Sequence, residues 1–213
     1  MALSKVNYNS MNVTPTASKA IKFNSSNNGL ETGDIGGNLV LLATQTASSS
    51  ATISFTSNID STYDEYVFKF YDIHPSADAA RFQVNFRDGG SAYDAIKTTT
   101  FFRAYNFEDD SDAVLGYLAS RDLAQSTDAQ KIAMNIGNDN DQSAAGTLHL
   151  FNPSSTTFVK HFIARSNCYG ELNYSQEVNV AGYCNVTAAI DGVQFSLDSG
   201  NIDAGTIKMY GVS

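Results

Sequence analysis

No tryptophan occurs among the 213 residues, prolines number three and cysteines two, and only 16% of the residues carry charge. Each shortage excludes something. Two cysteines, Cys168 and Cys184, cannot build a disulfide framework or a four-ligand zinc site. They read as buried free thiols in adjacent strands, with a single bond between them as the alternative. A charged fraction below the roughly 25% usual for soluble domains leaves Ser, Thr, Asn, Gln and Gly to make the polar surface. Basic residues are the scarcer sign, 13 Lys and Arg against 22 Asp and Glu, for a net charge of −9. Such a chain has no cationic footprint for phosphates, so no nucleic-acid partner is expected and anionic membranes are disfavoured. The longest apolar run, Leu39 to Ala43, is far shorter than a bilayer span, so no membrane insertion is expected. The opening stretch MALSKVNYNSMNVTP has no apolar segment of signal-peptide length, which points to a route out of the cell such as lysis. Sequons at Asn12, Asn24, Asn173 and Asn185 then read as chance matches in an Asn/Ser/Thr-rich chain.

Catalytic signatures are equally scarce. His74, His149 and His161 have no partner at metal-ligand spacing and read as strand residues with satisfied rings, His149 and His161 in neighbouring strands. No nucleophile elbow occurs. GLETGDIGGN is glycine-rich but lacks the Lys-Ser/Thr of a phosphate loop and reads as loop. Cys168 has no sequence-local His or Lys to lower its pKa. Two acidic clusters, Glu108, Asp109, Asp110 and Asp112, then Asp139 and Asp141 beside Asn138 and Asn140, supply calcium-type oxygen ligands without the EF-hand pattern, and read as solvated loop tips. Glycoside hydrolysis needs two facing carboxylates, and nothing singles out a pair among the 22 acids. The sequence therefore assigns no catalytic residue, cofactor site or metal ligand, and the expectation is a non-enzymatic protein. The lack of tryptophan counts against a typical carbohydrate-binding module. Tyr63, Tyr66, Tyr71, Tyr93 and Tyr105, clustered in one third of the chain, offer the same stacking surface, although alternation already explains Tyr66 and Tyr71 as strand residues.

What is abundant is period-two alternation. Tyr66, Phe68 and Phe70 fall on one face of EYVFKFYDIHP, which Pro75 ends. Phe82, Val84 and Phe86 repeat the pattern before the turn DGG, a hairpin signal. NLVLLAT reads as a short buried strand and, with ATISFTS, as a hairpin or near-hairpin. KIAMNIG and TLHLFNP read as strands, and EDDSDAVLGYLASRDLAQSTDAQ as a short helix or long loop. In TIKMYGV, Ile207, Met209 and Gly211 alternate with Thr206, Lys208 and Tyr210, marking a well-held strand. Nine to eleven strands with hardly any helix give an all-β fold, an antiparallel β-sandwich of jelly-roll type. Residues 38–213 form that domain. Residues 1–37 read as an N-terminal arm, a docking segment, with one short strand around Ile21 and Phe23.

Two stretches carry a resemblance. NIDSTYDEYVFKFYDIHPSADAARFQVNFRDGGSAYDA (58–95) and AAIDGVQFSLDSGNIDAGTIKMYGV (188–212) are similar to segments of virion structural proteins of marine tailed phages, cyanophage-like, of the tail fibre, tail appendage or capsid-attached type. Together they cover about 60 residues. The motifs are structural, so no functional residue transfers. The resemblance implies localisation in the virion, other virion proteins as partners, a homo-oligomer, and a host-surface glycan as a further candidate partner. The alternatives are a capsid decoration or head-fibre protein, and a glycan-binding module. A polysaccharide depolymerase on the same scaffold is the weakest reading, with no acid pair or triad marked.

Overall fold

The alternation becomes sheet nearly everywhere it is read. The computed structural model describes residues 19–24, 26, 28–33 and 38–212, and holds fourteen strands and no helix among them. Contacts divide the chain into two units, Met1–Asn38 and Leu39–Ser213. In the first, β1 (Ala20–Phe23) pairs antiparallel with β2 (Leu30–Gly33). Leu30–Gly33 is thus strand where loop is expected, because Phe23 and Leu30 pair across a turn in which Asn24 N–H donates to the Gly29 carbonyl at 3.0 Å. Most of the expected arm, residues 1–18 included, lies outside the described residues.

The second unit is an antiparallel sandwich. Its strands are β3 (Leu39–Thr46), β4 (Thr52–Phe55), β5 (Glu65–Pro75), β6 (Phe82–Arg87), β7 (Lys97–Phe107) and β8 (Ala113–Tyr117). There follow β9 (Gln130–Lys131), β10 (Ala144–Phe151), β11 (Lys160–Gly170), β12 (Tyr174–Cys184), β13 (Gly192–Leu197) and β14 (Ile202–Val212). An eight-stranded sheet runs β3-β14-β5-β10-β11-β12-β7-β8, and a four-stranded sheet runs β4-β13-β6-β9. Inward residues meet between them: Tyr66, Phe68 and Phe70 of β5, Leu148 and Leu150 of β10, Ile207 and Met209 of β14, against Phe82, Val84 and Phe86 of β6 and Val193 and Phe195 of β13. Phe55, Phe68, Phe82 and Phe195 form one aromatic cluster across the gap.

Several local expectations change. β3 and β4 make no hairpin; they enter different sheets, β3 against β14 and β4 against β13. The DGG turn likewise sends the chain from the small sheet (β6) to the large one (β7), with Gly89 and Gly90 at φ 105° and 69°, where a side chain is strained. NLVLLAT is an edge strand with Leu39, Val40 and Leu41 exposed, not a buried run. In KIAMNIG only the first residue is strand. Ile132, Ala133, Met134 and Ile136 are all buried without alternation, because this stretch is wedged between the sheets. Ile132 and Ala133 N–H donate to the Phe82 carbonyl, while Ser166 Oγ and Cys168 Sγ donate to the Ile132 and Met134 carbonyls. The stretch read as helix or long loop is loop around β8. β14 is an interior strand next to the edge, held by β3 on one side and β5 on the other. Its start is bulged against β5, and there Gly205, at φ 128°, lies so close to Asp72 that a Cβ would come within 2.9 Å of that carbonyl oxygen.

Candidate functional site

The inward residues of β7 change character along the strand. Lys97, Thr99 and Phe101 are buried; Arg103, Tyr105 and Phe107 are only half-buried. The first half is roofed by the segment after β8: Leu118 N–H donates to the Phe101 carbonyl at 2.9 Å, and Thr99 Oγ1 donates to Gln130 Oε1 at 2.6 Å. The second half instead opens on a cleft of about 210 Å³ lined by Arg103, Tyr105, Phe107, Asp112, Asn135, Glu171, Leu172 and Tyr174. None of these belongs to the four-stranded sheet.

Three rings build one wall. Tyr174 opposes Phe107 in the β12–β7 ladder, with centroids 5.1 Å apart. Tyr105 stands edge-on to Phe107 at 5.8 Å and tilted to Tyr174 at 5.8 Å. The polar groups are fixed around them. Arg103 lies over the Tyr105 ring, 5.0 Å from its centroid, and Nη1 donates to Gln176 Oε1 at 3.1 Å, while Gln176 Nε2 donates to the Met134 carbonyl. No carboxylate forms an ion pair with Arg103 among the described residues. Tyr105 Oη donates to Asp112 Oδ2 at 2.9 Å, and this bond holds the Tyr105 hydroxyl above its ordinary pKa. Burial raises the Tyr174 hydroxyl, partly opposed by the Asn135 side chain beside it. Asn135 adopts φ 50°, a left-handed conformation that asparagine tolerates better than most residues, and its buried Oδ1 has no hydrogen-bond partner among the described residues. Rings, one guanidinium and two carboxylates therefore converge on one small space, the combination expected of a binding site.

Three wider depressions, of about 420 to 550 Å³, involve outward-facing residues of the eight-stranded sheet. The largest shares Phe107 and Tyr174 with the cleft and adds Glu108, Asp110 and Tyr169. There the two acidic loops approach each other: after burial, the charges of Glu108, Asp141 and Asp139 raise the Tyr169 hydroxyl. Among the described residues no group of three or more His, Cys, Asp or Glu is placed to hold a metal ion.

Of the tyrosines singled out in the sequence, Tyr105 alone lines the cleft. Tyr66 is fully buried and donates to the Asp60 carbonyl at 3.0 Å; Tyr63 packs on it edge-on. Tyr71 is exposed under Lys208, and Tyr93 lies under Arg87. Phe107, Tyr174 and Arg103 carry no local signal that separates them from other strand residues. The histidines are all engaged. His74 Nδ1 donates to the Gln142 carbonyl at 2.7 Å. His149 Nδ1 bonds Glu65 Oε1 at 2.6 Å. His161 meets the Tyr183 ring. His149 lies opposite Ile163 in the β10–β11 ladder, so it and His161 share one face of neighbouring strands.

Cys168 and Cys184 are free and buried. In the β11–β12 ladder Cys168 faces Gln176 and Cys184 faces Lys160. Eight residues of strand separate those rungs, about 26 Å, whereas a disulfide needs Cα atoms within about 7 Å. Burial pushes both thiols up to about 12. Neither should react with a thiol-specific chromogenic reagent in the native protein, and both should titrate on denaturation; reaction of either in the folded state would contradict this placement.

Comparison of the chain with models of known families, with curated proteins and with solved structures finds no match.

Proposed function

We propose that the sandwich is a jelly roll and that the chain is a non-enzymatic virion structural protein of a tailed phage, a tail-associated fibre or appendage component that assembles as a homo-oligomer and contacts the host surface. The observation that carries this reading is a nested set of ladders. β3 pairs with β14, β4 with β13, β5 with β10, and β6 with β9, and successive pairs alternate between the two sheets. That is one long antiparallel ribbon rolled on itself, the winding found in viral capsid and lectin domains. The excursions β7–β8 and β11–β12 widen one sheet beyond the roll. Fold alone does not fix function; the resemblance of residues 58–95 and 188–212 to phage virion proteins supplies the class.

Oligomerisation is supported by the outer face of the eight-stranded sheet. Leu41, Ile163, Phe102, Leu115 and Tyr117 all stand exposed there, Leu115 at 77%. Phe102, Leu115 and Tyr117 adjoin across the β7–β8 pair, and adjoining exposed apolar side chains mark association surfaces, with a second copy of the chain as the partner proposed. Placement on the capsid, as a decoration or head-fibre protein, is the competing location.

The test is direct. An antibody raised to the purified domain should detect the chain in gradient-purified particles of the phage that encodes it, and should label the tail in electron micrographs. Labelling of the capsid would move the protein to the competing location. Absence from purified particles would overturn the virion reading.

A further inference from the structure

We propose that the cleft formed by Arg103, Tyr105, Phe107, Asp112, Asn135, Glu171, Leu172 and Tyr174 binds one neutral pyranose ring of a glycan. This deepens the host-contact reading of the preceding section and rests on it for its biological setting, while the binding itself belongs to the isolated protein.

Size is the first argument. A pocket for a drug-sized ligand spans roughly 300–1,000 Å³, so a cleft of about 210 Å³ admits about one ring. The second argument is chemical. A pyranose has an apolar C–H face and an equator of hydroxyls, each both donor and acceptor. The wall of Tyr105, Phe107 and Tyr174 suits the C–H face. Around the rim, Asp112 and Glu171 accept and the Arg103 guanidinium donates.

Charge narrows the class. Two carboxylates against one guanidinium give the lining an excess negative charge, and the whole chain stands at −9. Uronates, sialic acids and nucleotides are therefore disfavoured. A quaternary ammonium suits a ring cage, but Arg103 already covers the Tyr105 ring and repels a second cation. An uncharged, hydroxyl-rich ring meets neither objection.

The experiment is saturation-transfer NMR on the full-length purified protein, with irradiation of aromatic protons. The probes are methyl glucoside, methyl galactoside, methyl mannoside, methyl N-acetylglucosaminide, glucuronate and N-acetylneuraminate, each at tens of millimolar. At least one neutral pyranoside should receive saturation, strongest on its ring C–H protons. Tyr105→Ala and, separately, Glu171→Ala should weaken its binding at least about tenfold, because each removes a wall or a rim acceptor of a small site. Near-ultraviolet circular dichroism checks that each variant is folded. Glu171 lies in the short turn between β11 and β12, so its variant stays informative should Tyr105→Ala fail to fold. Absence of transfer to every neutral pyranoside, or binding unchanged in both variants, overturns the assignment. Binding of the two anionic sugars alone overturns the neutral class. None of these results depends on whether the chain is found in particles, so failure of the virion reading is distinguishable from failure of this one.

Discussion

Phe195→Ala is expected to destabilise the sandwich by about 3–5 kcal/mol, the cost of truncating a buried phenylalanine. Phe195 sits in β13, flanked by β4 and β6, and its ring reaches partners in both sheets. It stacks on Phe82 at 5.5 Å, tilts against Phe68 at 5.6 Å and meets Phe55 edge-on at 6.3 Å. Phe68 belongs to the eight-stranded sheet and the other two to the small one. Deleting the ring therefore removes burial, ring–ring contact and part of the grip between layers at once. The surroundings are strands held by ladders on both sides, so the cavity collapses only partially. For a chain of this length the loss corresponds to a fall of about 10 °C or more in melting temperature. Urea unfolding should show a lowered midpoint with an unchanged slope. Phe102→Ala, on the outer face and 42% exposed, is the control, with an expected cost below about 1 kcal/mol. A Phe195→Ala effect as small as the control's would mean that the two sheets do not depend on this cluster.

Alternation made the layers readable. Tyr66, Phe68 and Phe70, or Phe82, Val84 and Phe86, declare their faces because one side of each strand meets a core and the other does not. What a strand pairs with is not written in the same code. The turn at Gly89 and Gly90 has hairpin chemistry, yet β6 and β7 part there, since a tight turn fixes a change of direction and leaves the choice of sheet to packing further away. NLVLLAT and KIAMNIG mislead in opposite ways. The first is apolar but lies at an edge with Leu39, Val40 and Leu41 exposed; the second is buried on both sides and so loses both its alternation and most of its strand pairing.

The cleft was less legible than the fold. Its walls come from β7, the loop before β8, the stretch around Asn135 and the turn between β11 and β12. β7 contributes three residues, β12 adds Tyr174, and the other segments give one or two each. Tyr105 stood out in the sequence only as one of five tyrosines, and the other four are engaged elsewhere. Asn135 reaches the cleft only through the fold, which no spacing encodes.

A second large effect is expected from pH, and it begins with Lys97. The side chain is fully buried, and Nζ donates to Asn85 Oδ1 at 2.6 Å and to the Ala95 carbonyl at 2.7 Å. Among the described residues no carboxylate pairs with it; Cys184, Asp128, Asp94 and Asp88 act only through their field. Along the same row of the sheet Lys97 faces Cys184, which faces Lys160, so two buried ammonium groups flank one thiol. Burial lowers the Lys97 pKa to about 8, and lowers that of Lys160 as well. In the unfolded chain a lysine titrates near 10.4. Between these values the unfolded lysine binds more protons than the folded one, so the contribution of Lys97 to stability rises with pH. The charged lysine is thus a cost at neutral pH that is shed as pH climbs through about 8. Linkage sets the gain from Lys97 at about 2 kcal/mol between about pH 7 and pH 9.5. Cys168 and Cys184, whose thiols burial pushes up to about 12, act in the opposite direction from about pH 8.5 upward, and Tyr66, Tyr105 and Tyr174, whose hydroxyls are raised, from about pH 10. Because the two buried thiols are common to both proteins, urea titrations should show the wild type gaining about 2 kcal/mol relative to Lys97→Met across that window. A difference between wild type and Lys97→Met that stays constant from about pH 8 to pH 9.5 would mean that Lys97 is solvated in the folded protein, and that the row Lys97–Cys184–Lys160 lies open to water.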